Sequence, residues 1–141
     1  MGAIKVFTDG ASRRNPGESG IGIIIYDESG SVLAKWNEYI GITTNNQAEY
    51  KALLKSIDLI SKLEENSSFE MIEFYADSEL MVKQIKGLYK VKDKELVQLY
   101  REFNRRIRES GSKYNITHID RSLNKVADKL ANMAIDNRNS L

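Results

Sequence analysis

The sequence predicts an α/β fold: a mixed five-stranded sheet flanked by helices, with strands 1–3 antiparallel and the later strands parallel. Two observations carry this. Three strand-like runs open the chain, at residues 3–8, 21–27 and 32–40, with no helical segment between them; strands joined by short connections pair antiparallel. Beyond residue 45, strand-like runs alternate with segments of helical period, and a strand that returns through a helix lies parallel to its neighbour.

Residues 3–8 alternate around Ile4, Val6 and Thr8. Residues 9–20 carry Asn15-Pro16-Gly17 and many other turn formers, so they are expected to be a loop. The β-branched run 21–27, the turn 28–31 and the run 32–40 read as a hairpin. Ala48, Ala52, Ile57, Leu59, Ile60 and Leu63 give a helix over 45–63 its apolar face, and the polar run 64–68 ends it. A strand over 69–76, helices over 79–86 and 94–108, a strand over 113–120 and a last helix over 123–136 complete the order.

The 141 residues fit one domain, expected to span 1–141, and 41% hydrophobic with 29% charged residues excludes a disordered chain. Lys and Arg number 21 against 20 Asp and Glu, so net charge does not single out a nucleic-acid or membrane partner. The chain has no cysteine and one histidine, His118, which excludes disulfides, thiolate chemistry and a multi-histidine zinc site within one chain. The start, MGAIKVFTDG, lacks the apolar core of a signal peptide, and the apolar stretch 21–26 is too short for a bilayer; a cytoplasmic protein is expected.

Four carboxylates need explaining. Asp9 ends the first strand, where Asp-Gly is a common turn dipeptide, yet the segment that follows is too long for a two-residue turn. Glu49 lies near the start of the first helix, where the helix dipole favours an acid, but it shares a flank with Leu53 and Ile60. Asp77 follows a strand and precedes a helix: an N-cap, or a residue at the sheet end where open α/β sheets place ligands. Asp128 sits inside the last helix, on a flank with Ala131 and Ile135; a solvated surface acid is the ordinary alternative. Converging on one sheet end, four such acids would repel one another unless cations neutralised them. An all-oxygen set suits Mg²⁺ or Mn²⁺, and two such ions ~3.5–4 Å apart suit in-line attack on a phosphodiester.

The segments FTDGASRRNPG (7–17), TTNNQAEYKAL (43–53), YADSELMVKQIKG (75–87) and N-x-x-A-D-x-L-A (124–131) resemble type 1 ribonuclease H, in order and across nearly the whole chain. The resemblance implies a ribonuclease H-like fold and an endonuclease that cuts the RNA strand of RNA–DNA hybrids, leaving 5′-phosphate and 3′-hydroxyl ends. It implies Asp9, Glu49, Asp77 and Asp128 as ligands of two Mg²⁺ or Mn²⁺ ions, with Asp9 bridging them. It places Asn15, Asn45, Asn46 and Gln47 at the 2′-hydroxyls, and amides fit there because each offers donor and acceptor. Thr44, with Arg13 or Arg14, is expected at a DNA phosphate; helix capping is the other role open to the 44–46 run.

The sequence departs from many family members in two places. The segment 87–94 is short and has no Trp, where others carry a basic protrusion; Lys83, Lys86, Lys90, Lys92 and Lys94 cluster there, as phosphate contacts or as a solvated edge. The loop 120–123 has no histidine: His118 falls in the preceding strand, and Arg121 is the loop residue expected near the scissile bond. The short form resembles the archaeal-like branch, some of whose members also cut double-stranded RNA. A monomer is expected. The rival readings are a non-catalytic hybrid-binding module, which gains nothing from buried negative charge, and another nuclease of the same fold, which has no use for the amide run.

Overall fold

The computed structural model describes residues 2–65 and 68–138. Alternating apolar residues build three antiparallel strands, β1 (Ala3–Ser12), β2 (Gly17–Tyr26) and β3 (Val32–Thr43). There follow α1 (Asn45–Leu63), β4 (Met71–Ala76), α2 (Glu79–Ile85), α3 (Lys94–Ser110), β5 (Tyr114–His118), a 3-10 turn (Arg121–Leu123) and α4 (Lys125–Asp136). The sheet order is β3-β2-β1-β4-β5, with β4 parallel to both β1 and β5, so the expected mixed five-stranded sheet is what forms. Residues 66 and 67 of the helix-ending run 64–68 lie outside the described residues.

The expected loop over 9–20 is a correction. Asp9 to Ser12 and Ser19 to Gly22 continue the β1–β2 ladder, and the connection shrinks to residues 13–16, with a cis Asn15–Pro16 bond. The turn-forming composition misled because two of its glycines serve helix packing. A Cβ on Gly10 would stand 2.3 Å from the Ala48 carbonyl carbon and one on Gly20 2.4 Å from the Ala131 carbonyl oxygen; just past the run, one on Gly22 would stand 2.2 Å from the Ala127 carbonyl oxygen. Strand β3 also runs on to Thr43 rather than stopping at 40. The last helix begins at Lys125 rather than 123, because the Asp120 carboxylate accepts the Ser122 N–H at 3.1 Å and tightens that turn.

Both faces of the sheet are covered. Ile4, Val6, Ile23, Ile25 and Phe74 pack against Tyr50, Leu53, Ile57 and Ile60 of α1 and Leu96, Phe103 and Ile107 of α3. Helix α4 lies on the other face, where Gly20 and Gly22 let its backbone approach β2. β1 pairs with β4 only as far as Phe7, yet stays paired with β2 through Ser12. The sheet therefore splits beyond Phe7, and Asp9 and the end of β4 border the opening.

Gly22→Ala is expected to destabilise the protein by about 2 kcal/mol or more, since the added methyl meets α4 backbone that cannot move aside. Thermal unfolding checks this; an unchanged Tm would show that α4 is not seated on Gly22.

Candidate active site

Each carboxylate reaches the opening by a different route. Asp9 pairs in register with Gly22, so its side chain lies on the sheet face that α4 covers. Glu49 is delivered by the start of α1. Thr44 caps that helix: its hydroxyl accepts the Gln47 N–H at 3.2 Å, and its own N–H donates to Gln47 Oε1 at 3.0 Å. The next turn packs on Gly10, whose Cβ would stand 2.3 Å from the Ala48 carbonyl carbon. The Gly10 N–H then donates to Glu49 Oε1 at 2.9 Å. Glu49 is 7% exposed, and the first turn of α1 holds no acid, so the dipole explanation does not apply.

Asp77 follows β4, and the capping of α2 falls to Ser78, whose hydroxyl accepts the Met81 N–H at 3.2 Å. The carboxylate of Asp77 is thus free of the N-cap role that the sequence left open. Asn124 Nδ2 donates to the Thr8 carbonyl at 2.9 Å and to Asp77 Oδ2 at 3.3 Å. This amide, 1% exposed, bridges the split between β1 and β4. Carboxylate oxygens of Asp9, Glu49 and Asp77 lie within 4.8 Å of one another. Asp128, half-buried on α4, stands beside Asp9 and adds its charge to the group.

Burial, then the charges of Glu49 and Asp77, push the Asp9 carboxyl up to about 10. Burial and Asp77 push Glu49 up to about 8, against the opposing pull of the Gly10 N–H and the Arg121 guanidinium. With nothing but protein around them these acids hold protons rather than charge. The donor set is all carboxylate oxygen, with Asp9 and Glu49 buried and Asp77 partly so, which fits a hard divalent cation and does not suit a soft one.

The polar residues expected at a nucleic acid flank this cluster. Asn15 Oδ1 accepts the Asn45 N–H at 3.1 Å, and Asn45 Oδ1 accepts the Ser12 N–H at 3.0 Å. With Gln47 Oε1 accepting from Thr44, these amide oxygens are engaged within the protein, and their NH₂ groups take no part in those bonds. Asn46 is exposed beside them. Arg121 is exposed and close enough to Glu49 to act on its charge. Arg13 is drawn away from the phosphate role by an ion pair to Asp136 at 2.8 Å. His118 ends β5, paired with Ala76, as the strand reading expected. Lys86, Lys90, Lys92 and Lys94 are exposed, while Lys83 pairs with Glu79 at 3.3 Å. Asn124 was overlooked as a site residue although it begins the N-x-x-A-D pattern; its value depends on a strand gap that no local pattern reveals.

A mixed sheet in this order, with helices on both faces and carboxylates gathered at its split end, is the architecture of the ribonuclease H-like nucleases. A family profile described as reverse transcriptase-like matches residues 7–134. Ribonuclease HI of Halobacterium salinarum is 36% identical over 135 residues, 96% of this chain and 65% of that protein. A bifunctional protein of Mycobacterium tuberculosis is 34% identical over 94% of this chain and 35% of its own length. The chain thus spans between about one third and two thirds of these curated relatives. Among solved structures, LC11-RNase H1 in complex with an RNA/DNA hybrid superposes with a TM-score of 0.92 at 38% identity, covering 96% of this chain and 98% of that one. RNase H1 of H. salinarum superposes at 0.88 with 34% identity, covering 96% and 98%. The chain belongs to the type 1 ribonuclease H family. Among the described residues no helix is long and apolar enough to cross a membrane.

The raised carboxyls set the sign of a pH effect. Both favour the protonated form in the folded state, so the stability they contribute is full below the ordinary carboxylate range and is lost as pH rises through about 8 and then about 10. Metal-free protein should therefore melt higher at about pH 6 than at about pH 9, and Mg²⁺ should raise Tm most at the alkaline end. A metal-free Tm that climbs over this interval would contradict the described electrostatics.

Proposed function

We propose that this chain, as a monomeric domain spanning 1–141, hydrolyses the RNA strand of RNA–DNA hybrids and leaves 5′-phosphate and 3′-hydroxyl ends. The observation that carries this reading is the convergence of Asp9, Glu49 and Asp77 with Asp128 alongside, next to amides whose oxygens are engaged within the protein. Asp9, Glu49, Asp77 and Asp128 would hold two divalent ions, Mg²⁺ or Mn²⁺. When bound, such ions supply Lewis acidity at the phosphate and lower the pKa of an attacking water.

The rest of the work falls to the chain's own groups. Asn15, Asn45, Asn46 and Gln47 offer N–H donors to the 2′-hydroxyls and minor-groove edges of the RNA strand. A DNA strand leaves those donors without the 2′-oxygen, at a cost of about 1–3 kcal/mol for each unmet group that is desolvated. Thr44, with Arg14 of the 13–16 connection, is assigned to a phosphate of the DNA strand. Arg121 is assigned to the scissile region, where its charge already acts on Glu49. The complex of LC11-RNase H1 with an RNA/DNA hybrid supports the substrate class.

The test is cleavage of labelled RNA–DNA hybrid, RNA duplex and DNA duplex, with Mg²⁺, Mn²⁺ or EDTA. Cutting of the hybrid RNA is expected, abolished by EDTA and reduced by about three orders of magnitude or more in Asp9→Asn and Asp77→Asn, with hybrid binding retained. Binding without cutting by the wild type would leave only a binding module. Metal-independent cutting would overturn the mechanism, and cutting of DNA duplex would point to another nuclease of this fold. Cutting of RNA duplex would widen the substrate class.

A further inference from the structure

Helix α4 carries Asp128, the acid that joins the cluster from outside the tight triad. Its N-cap, Asn124, makes no side-chain capping bond, because that amide is turned to Thr8 and Asp77. The Asp128 N–H donates to the Asn124 carbonyl at 3.1 Å, which ties its backbone but not its carboxylate. One helical turn on, Asn132 Nδ2 donates to the Asp128 backbone oxygen at 3.0 Å and to its carboxylate Oδ1 at 3.2 Å. The opposite side of the same residue is also engaged. Arg13 Nη2 donates to the Asn132 side-chain oxygen at 3.3 Å and to its backbone oxygen at 3.2 Å, and reaches Asp136 Oδ1 at 2.8 Å. Arg13 belongs to the 13–16 connection, whose Asn15 is tied to the start of α1 through the Asn45 N–H.

We propose that Asn132 is the positioning residue for Asp128 and that Arg13 locks it, so that the connection bearing Asn15 and the helix bearing Asp128 form one rigid unit. The proposal rests on the nuclease reading for the role of Asp128 and adds the groups that aim it. The physical reason is specific. Asp128 stands within hydrogen-bond reach of the Asp9 carboxyl, and an amide donor on its Oδ1 restrains its carboxylate both before and after a cation lies between the two. Asn132 suits this because one amide end donates to the carboxylate while the other accepts from the guanidinium. The Arg13–Asp136 pair has side chains 43% and 61% exposed, so it contributes little to stability by itself and acts through direction.

The experiment compares wild type, Asn132→Ala, Arg13→Ala and the double variant. Mn²⁺ binding is measured by titration calorimetry without nucleic acid, alongside Tm and the kcat and KM for hybrid at several Mg²⁺ concentrations. Asn132→Ala is expected to weaken Mn²⁺ binding about tenfold while Tm stays within about 4 °C. Arg13→Ala should cause a smaller loss in the same direction, and the double variant should match Asn132→Ala alone, since Arg13 acts through Asn132. Saturating Mg²⁺ should restore kcat in Asn132→Ala with KM unchanged. Unaltered Mn²⁺ affinity in both single variants, or losses that multiply in the double variant, would overturn the proposal. Should Asn132→Ala fail to fold, Arg13→Ala decides alone by the same criterion. A wild type that binds Mn²⁺ but cuts no hybrid would defeat the nuclease reading, while the calorimetric comparison would still judge the positioning claim.

Discussion

The burial and crowding of carboxylates at the split end of the sheet is the constraint on which the rest of the molecule depends. Two of them, Asp9 and Glu49, are nearly without solvent, and each is pushed toward its protonated form chiefly by burial and then by neighbouring acids. A fold that keeps such groups together forgoes stability that apolar side chains would have supplied. The arrangement makes physical sense only with a partner of opposite charge, and an all-oxygen set selects a hard divalent ion. Local strain of this kind, held by a rigid surround, is a usual mark of a functional site.

The surround is correspondingly rigid. Gly10 lets α1 close on β1 so that Glu49 meets a backbone N–H, and Gly22 lets α4 close on β2 so that Asp128 arrives beside Asp9. Asn124 occupies the gap where β1 and β4 part and satisfies a carbonyl that would otherwise lack its ladder partner. The same few elements carry the amide row, because the capping box that starts α1 also sets Asn45 and Gln47. The carboxylates and the amides thus share one frame, so that, on the proposed function, a substrate held by the amides would meet the carboxylates without a separate docking motion.

Much of this was legible in the chain itself. The bounds of α1 follow from the capping run and the apolar period, and the mixed strand directions follow from a helix-free opening and helix-separated later strands. Each of the four acids has a plausible ordinary explanation alone; their combination singles them out, and the resemblance to type 1 ribonuclease H ties them together. The reading failed at residues 9–12 and 17–20, where glycines that admit a helix backbone look like turn formers. Arg13 drew attention as a phosphate ligand because its pairing with Asn132 and Asp136 spans more than a hundred positions of sequence. Asn124 was passed over for the same reason: its hydrogen bonds to Thr8 and Asp77 depend on the parting of two strands, which is a property of the tertiary fold.

The most direct measurement is an anomalous-scattering map of Mn²⁺ in crystals of the unaltered protein bound to an RNA–DNA hybrid whose RNA strand carries a non-hydrolysable linkage. Two peaks about 4 Å apart, between the Asp9 carboxylate and one phosphate of the RNA strand, are the outcome this account requires. Absence of manganese from the cluster with the hybrid in place, or manganese bound away from Asp9, would contradict it.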